Sequence, residues 1–105
     1  MLVQLVLGLV LALFVSLALC NRPPGTQPAT KGARPTLSAA DRAEATPSRV
    51  AEWKEDCDRS GGYACTRYGR FLFDSKPRVA RLYFERGCKT GCNLACRIED
   101  SLNSQ

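Results

Sequence analysis

Histidine is absent from this sequence of 105 residues, and methionine and tryptophan occur once each. Without histidine, the chain lacks the side chain that most often acts as a general base and that usually activates a cysteine nucleophile. The sequence also lacks a carboxylate pair, a glycine-rich phosphate loop and a serine-nucleophile motif. We therefore expect no enzymatic activity and no cofactor.

Basic residues are missing ahead of the long apolar run at residues 2–19, which contains only one glycine and two polar residues. The length of this run is typical of a secretory signal peptide, and we predict one over residues 1–20. Small residues define two cleavage frames, one after Ala18 and one after Cys20, and we favour cleavage after Cys20. The missing basic residues leave an uncleaved membrane anchor as the alternative. We expect a secreted, extracellular protein.

Large apolar residues are nearly missing from residues 21–48, which hold five of the six prolines. Nothing in this stretch offsets the entropy lost on ordering it, so we predict a disordered Pro/Thr/Ala-rich spacer or propeptide. One exception is a short helix predicted over residues 39–45, where Ser38 and Asp41 have capping-box spacing. Residues 49–105 form the predicted cysteine-rich helical domain. Arg49 is the predicted basic processing point between the two parts, as Cys20 is for the leader.

Local signals predict the structure of residues 49–105. Thr46 and Pro47 indicate either a break or the start of a helix that ends near Asp58, before a Ser-Gly-Gly turn. The alternation of Phe71 and Phe73 predicts an extended or irregular segment over residues 63–74.

A proline and a capping side chain within residues 74–77 predict the start of a further helix. The residues that follow at helical spacing are Val79, Leu82, Tyr83 and Arg86. We expect this helix to break or bend near Gly87, with a second helix that restarts at Thr90. The alternative is a continuous helix to about Glu99 that tolerates both glycines. The predicted fold is small, disulfide-rich and mainly α, with two or three short helices.

The predicted domain is rich in cysteine. Removal of Cys20 leaves five cysteines for disulfide bonding: Cys57, Cys65, Cys88, Cys92 and Cys96. The last three recur every fourth residue, so on a continuous helix they form one stripe and are poorly placed to bond each other. We therefore predict that Cys57 and Cys65 each bond one stripe member. The odd cysteine then predicts a disulfide-linked homodimer, unless Cys20 is retained as its partner. Zinc is the competing chemistry, but secretion favours oxidation over metal binding, and we expect no metal site.

A basic and aromatic stretch accounts for the net charge of +5, since residues 66–89 hold seven basic and two acidic side chains. One interpretation is a small aromatic core beneath a solvated arginine face. The more specific interpretation is an electropositive contact surface for an acidic receptor loop, a cation-channel mouth or an anionic membrane. Nucleic acid is not an expected partner of a secreted chain. The candidate contact residues are Arg67, Tyr68, Arg70, Phe71, Arg78 and Arg81.

The sequence Cys-Asn-Leu-Ala-Cys-Arg at residues 92–97 resembles the Cys-x3-Cys helical segment of conotoxin-type peptides. The order of leader, Pro/Thr/Ala-rich spacer and C-terminal cysteine module is similar to that of secreted venom-toxin precursors. Cys88 adds a third cysteine that departs from this pattern, and no functional residue carries over. The resemblance implies a toxin-like ligand of a membrane receptor or an ion channel.

Three other functions remain open. A cationic host-defence (antimicrobial) peptide would use the same basic surface on membranes. The tripeptide at residues 68–70, Tyr-Gly-Arg, has the form of an amidation and cleavage site, which a hormone or neuropeptide precursor would use. A purely structural secreted protein is the remaining class.

Overall fold

The computed structural model describes residues 2–20 and 34–104, and this part of the chain contains α-helices and no strands. The helices are α1 (Leu2–Cys20), α2 (Ala39–Glu44), α3 (Pro47–Ser60), α4 (Tyr63–Leu72), α5 (Pro77–Lys89) and α6 (Asn93–Asn103). The central helix is α4, since it contacts α1, α3, α5 and α6. The prediction of a small, mainly helical, disulfide-rich fold is confirmed, with more helices than expected. No helix in the described ranges has the length and hydropathy of a membrane-spanning segment.

Residues 34–48 of the predicted spacer include the helix α2 and contact α4. The hydroxyl of Ser38 accepts a hydrogen bond from the Asp41 backbone N–H at 3.2 Å, so the predicted cap of α2 is confirmed. Asp41 is buried and pairs with Arg67 of α4. This segment is therefore held by a polar contact, which a count of its apolar residues does not reveal. Residues 21–33 of the predicted spacer lie outside the described residues.

Of the two structures predicted at Thr46 and Pro47, a break or a helix start, the second is confirmed, because α3 begins there. The Thr46 hydroxyl accepts from the Arg49 backbone N–H at 3.3 Å, and Pro47 occupies the first helical turn, where its missing N–H is harmless. The helix ends at Ser60, two residues beyond the predicted end. Gly61 then adopts a φ of 67°, which lets the chain turn directly into α4.

The prediction of an extended segment over residues 63–74 was wrong, because most of it is the helix α4. Its buried residues recur at helical spacing and are Cys65, Thr66, Gly69 and Leu72. Two of these are small or polar, so a search for large apolar side chains does not detect the face. Phe71, whose alternation with Phe73 suggested a strand, is instead exposed on α4.

The break between α5 and α6 lies later than predicted. Gly87 is inside α5 and buried, and a Cβ placed on it would lie 3.0 Å from the Cβ of Ala95 in α6. Gly91 makes the turn, with a φ of 96°. Pro77 begins α5 as predicted, but the predicted capping side chain was wrong, since the N-cap is Lys76 without a side-chain bond. Gly87 therefore permits close packing, and Gly91 breaks the helix.

The apolar core forms where α4, α5 and α6 meet, and Phe84 and Ile98 are its largest fully buried apolar side chains. The buried residues of α5 are Ala80, Phe84 and Gly87. The helical spacing of Val79, Leu82, Tyr83 and Arg86 is confirmed by α5, but these residues do not form its core face: Val79, Leu82 and Arg86 are exposed, and Tyr83 is only partly buried. The interpretation of an aromatic core is confirmed only in part, since Phe84 alone among the phenylalanines and tyrosines of residues 34–104 is fully buried.

Disulfide bonds join all six cysteines, and the pairing differs from the prediction: Cys20–Cys92, Cys57–Cys65 and Cys88–Cys96. Cys88 and Cys96 have Cα atoms 4.7 Å apart. Eight residues of continuous helix would separate them by about 12 Å. The turn at residues 90–92 folds the chain back, which makes this local bond feasible. The Gly61–Gly62 turn does the same for Cys57 and Cys65, whose Cα atoms are 4.6 Å apart.

Cys20 is the partner of Cys92, as the alternative with a retained Cys20 anticipated. No thiol is left over while Cys20 is present. The prediction of a dimer through an odd cysteine therefore depends on whether Cys20 is removed.

Candidate interaction surface

The six predicted contact residues do not form one exposed patch. Four lie on α4, where Arg67, Tyr68 and Arg70 are partly buried and Phe71 is exposed. Arg78 and Arg81 are exposed on α5. The residues on the two helices have different environments and therefore different roles.

Arg67 lies in a cage of aromatic and acidic side chains. Its guanidinium carbon is 5.2 Å from the ring centroid of Trp53 and 5.0 Å from that of Tyr63. An Nη atom of the same side chain is 3.3 Å from an Asp41 carboxylate oxygen. The Arg67 side chain is only 22% exposed, so water screens these contacts weakly. Arg67 therefore joins α2, α3 and α4.

Arg70 and Tyr68 also have internal partners. The Nε of Arg70 donates to the backbone carbonyl of Arg34 at 3.0 Å, and burial lowers the pKa of the Arg70 guanidinium. The Tyr68 ring packs edge-on against Tyr83 of α5, with centroids 4.7 Å apart. Phe71 stacks on the other side of Tyr68 at 6.4 Å. These contacts fix α4 against the N-terminal segment and against α5.

We expect Arg67→Ala to lower the free energy of unfolding by about 2 kcal/mol, because it removes two cation–π contacts and leaves the buried Asp41 carboxylate without its partner. Urea denaturation followed by circular dichroism measures the loss. Arg78→Ala is the matched control, since Arg78 is exposed, and its effect should stay within about 0.5 kcal/mol. Equal losses in the two variants would contradict the structural role of Arg67.

The outer face of α5 is where exposed basic and aliphatic side chains occur together. Arg78, Val79, Arg81 and Leu82 are exposed within one turn of helix, and Leu82 is 64% exposed. Helical geometry places Arg78 and Leu82 one above the other, with Arg81 beside them. The opposite face of this turn carries the fully buried Ala80. The result is a small basic and aliphatic surface, which we call the α5 surface.

A shallow groove of about 220 Å³ continues from the α5 surface toward α6. Its lining comes from both helices: Arg81, Leu82 and Glu85 of α5, and Glu99, Leu102 and Asn103 of α6. An Arg81 Nη atom donates to the Asn103 side-chain oxygen at 3.5 Å. The groove therefore has a basic end, an aliphatic floor and an acidic end.

The two carboxylates of the groove differ in their titration. A hydrogen bond of 2.8 Å from Lys89 lowers the pKa of Glu85. Burial, together with the negative charges of Glu85 and Asp100, raises the pKa of Glu99. Lys89 thus favours the charged form of Glu85, whereas burial and the neighbouring carboxylates disfavour the charged form of Glu99.

Sequence reasoning identified Arg78 and Arg81 but did not include Val79 and Leu82 among the contact residues. The signal that places them outside is the i, i+4, i+7 pattern of Ala80, Phe84 and Gly87, of which only Phe84 is large. Sequence reasoning also missed the α6 side of the groove, because nothing local indicates which face of α6 lies beside Leu82.

Two of the sequence-predicted processing points, Arg49 and the tripeptide at residues 68–70, lie inside helices. Arg49 is in the first turn of α3, where it pairs with Glu52 at 3.1 Å. Gly69 of the amidation-type tripeptide is buried in α4, and a Cβ placed on it would lie 2.7 Å from the Phe84 ring. Proteases need an extended substrate segment, so cleavage at either point requires local unfolding. The processing roles of both points remain predictions.

The described residues contain no cluster of three or more Cys, Asp or Glu side chains placed to hold a metal ion. Comparisons of the chain with protein-family models, curated proteins and solved structures gave no significant match.

Proposed function

We propose that this protein is a secreted ligand that binds an acidic extracellular surface of a membrane receptor or ion channel through the α5 surface. The observation that carries the proposal is the exposed set of Arg78, Val79, Arg81 and Leu82 on one outer turn of α5. Interfaces commonly combine arginine with apolar contacts in this way.

The charge pattern supports an acidic partner. Several surface cations already form ion pairs with carboxylates of the same chain. Arg86 pairs with Asp58 at 3.0 Å, and Lys89 pairs with Glu85 at 2.8 Å. Within residues 34–104, no carboxylate oxygen lies within 4.0 Å of a charged nitrogen of Arg78 or Arg81. Carboxylates of a partner would therefore meet these two guanidinium groups without displacing an internal ion pair.

The disulfides support a binding role because they preorganise the surface. Cys88–Cys96 ties the end of α5 to α6, and Cys20–Cys92 anchors the turn between these two helices. A surface held in place before binding loses less conformational entropy when a partner is bound. The aliphatic pair then adds apolar burial to the electrostatic attraction.

The test uses fluorescently labelled secreted protein and membranes from excitable cells, with and without protease treatment of the membrane proteins. We expect Arg78→Ala/Arg81→Ala to weaken binding by roughly tenfold or more, since each guanidinium would meet a carboxylate. Arg42→Ala/Arg59→Ala is the matched control, because it removes the same charge from exposed positions on α2 and α3. Its binding should equal that of the unmodified protein.

Equal losses in the two double variants would show that only net charge matters and would sink the proposal. Binding that survives protease treatment would also count against a receptor. Leakage of protein-free anionic vesicles, with no leakage of neutral ones, would instead favour the host-defence function.

A further inference from the structure

Cys20 is part of the folded domain, although it lies at the end of the apolar segment. Its side chain is 5% exposed, and Cys92, its disulfide partner, is 1% exposed. Cys92 immediately precedes α6, and its sulfur lies 3.3 Å from the buried Thr66 hydroxyl of α4. The Cys20–Cys92 bond therefore ends inside the main core.

Cleavage after Cys20 would leave Cys92 as a single thiol in this core. The other four cysteines are paired with each other, so none is available as a substitute partner. Removal of Cys20 thus costs the domain one of its three internal disulfides and leaves Cys92 without an internal partner.

We propose that the leader is removed by hydrolysis of the Ala18–Leu19 peptide bond, so that the secreted chain begins at Leu19 and keeps Cys20. Ser16 and Ala18 supply the small residues that signal peptidases require at the third and first positions before the bond. The alternative frame also has small residues, and the Cys20–Cys92 bond distinguishes the two.

The apolar segment itself supports its removal. Its described side chains point into solvent, with Leu2 79% and Leu5 68% exposed. A secreted domain rarely keeps a contiguous apolar surface of this kind. Cys20, at the end of this segment, is buried, and the proposed cut retains it.

The proposal involves two covalent steps, hydrolysis of a peptide bond and oxidation of two thiols to a disulfide. Water adds to the Ala18 carbonyl carbon, the C–N bond breaks, and Ala18 leaves as a carboxylate while Leu19 becomes the new α-amine. The thiols of Cys20 and Cys92 then lose two protons and two electrons to a disulfide-bearing oxidoreductase of the secretory pathway, which becomes a dithiol. The peptide bond is cut on the nascent chain, before α1 and the core have formed.

Intact mass spectrometry of the full chain secreted from eukaryotic cells tests the proposal. The expected product starts at Leu19 and gains six hydrogens on reduction, two for each of three disulfides. A product that starts at Asn21, or that retains the apolar segment, overturns the proposal. This result depends on secretion but not on the α5 surface, so it is separate from the binding test.

A pair of leader variants tests the frame independently. Ser16→Phe places a bulky side chain three positions before the proposed bond, whereas Ser16 is not a recognition position in the frame after Cys20. We expect Ser16→Phe to abolish the Leu19 terminus, whether the chain stays uncut or is cut after Cys20. Val15→Phe is the control and should give the Leu19 terminus. Normal processing of Ser16→Phe overturns the proposal.

Discussion

Replacing Phe84 with alanine is expected to lower the free energy of unfolding by about 3–5 kcal/mol. Phe84 is 0% exposed and packs against the backbone of α4, since a Cβ on Gly69 would come within 2.7 Å of its ring. The Phe73 ring lies on another side, with centroids 6.5 Å apart. Alanine leaves a cavity at the centre of the domain that these backbone contacts prevent from closing. Thermal and urea unfolding by circular dichroism measure the effect.

Leu82→Ala is the control on the same helix. Leu82 is an aliphatic residue two positions away, but it is exposed, so we expect a change within about 0.5 kcal/mol. Similar losses in the two variants would contradict the orientation of α5 that the structure shows. The same Leu82→Ala variant, tested for binding, separates the contribution of the α5 surface to function from any contribution to stability.

Removing the Cys20–Cys92 disulfide is expected to have the second large effect. Its cysteines are 72 residues apart, and the loop-closure entropy of so long a loop corresponds to about 4 kcal/mol. Cys57 and Cys65 are 8 residues apart, for which the same relation gives about 2.5 kcal/mol. We therefore expect the double alanine variant of Cys20 and Cys92 to unfold at the lower urea concentration.

The double alanine variant of Cys88 and Cys96 is the matched comparison, because this pair is also 8 residues apart. Its loss should equal that of the Cys57 and Cys65 variant. Equal losses in all three variants would contradict the loop-length argument. A proteolytic map that joins Cys57 or Cys65 to any of the last three cysteines would contradict the connectivity itself.

Helix starts were predictable here because their signals lie within a few residues. Ser38 caps α2, Thr46 caps α3, and Pro77 begins α5, each through a contact or restraint that does not depend on the rest of the fold. The same holds for the turn after Ser60, since glycines adopt positive φ easily. The sequence also placed Arg78 and Arg81 in a candidate contact surface, although not with their actual neighbours.

The errors share one physical origin, which is that buried faces in this protein are built from small side chains. Gly69 and Gly87 lie where helices approach closely, and neither stands out in a search for apolar residues. Without them, Val79 and Leu82 look like core residues, and Arg67 looks like a surface cation. The caged position of Arg67 depends on Trp53 and Asp41, which come from two other helices.

The sequence by itself determined the helical class, the capped helix starts, the basic character and the demand for disulfides in a short chain. These properties follow from local backbone preferences and from composition. Only the tertiary structure decided the cysteine pairing, because the pairing depends on where the helix breaks. The break at Gly91, rather than at Gly87, brings Cys88 to Cys96 and leaves Cys92 for Cys20. The exposed face of α5 was likewise decided by which helices pack against its other side.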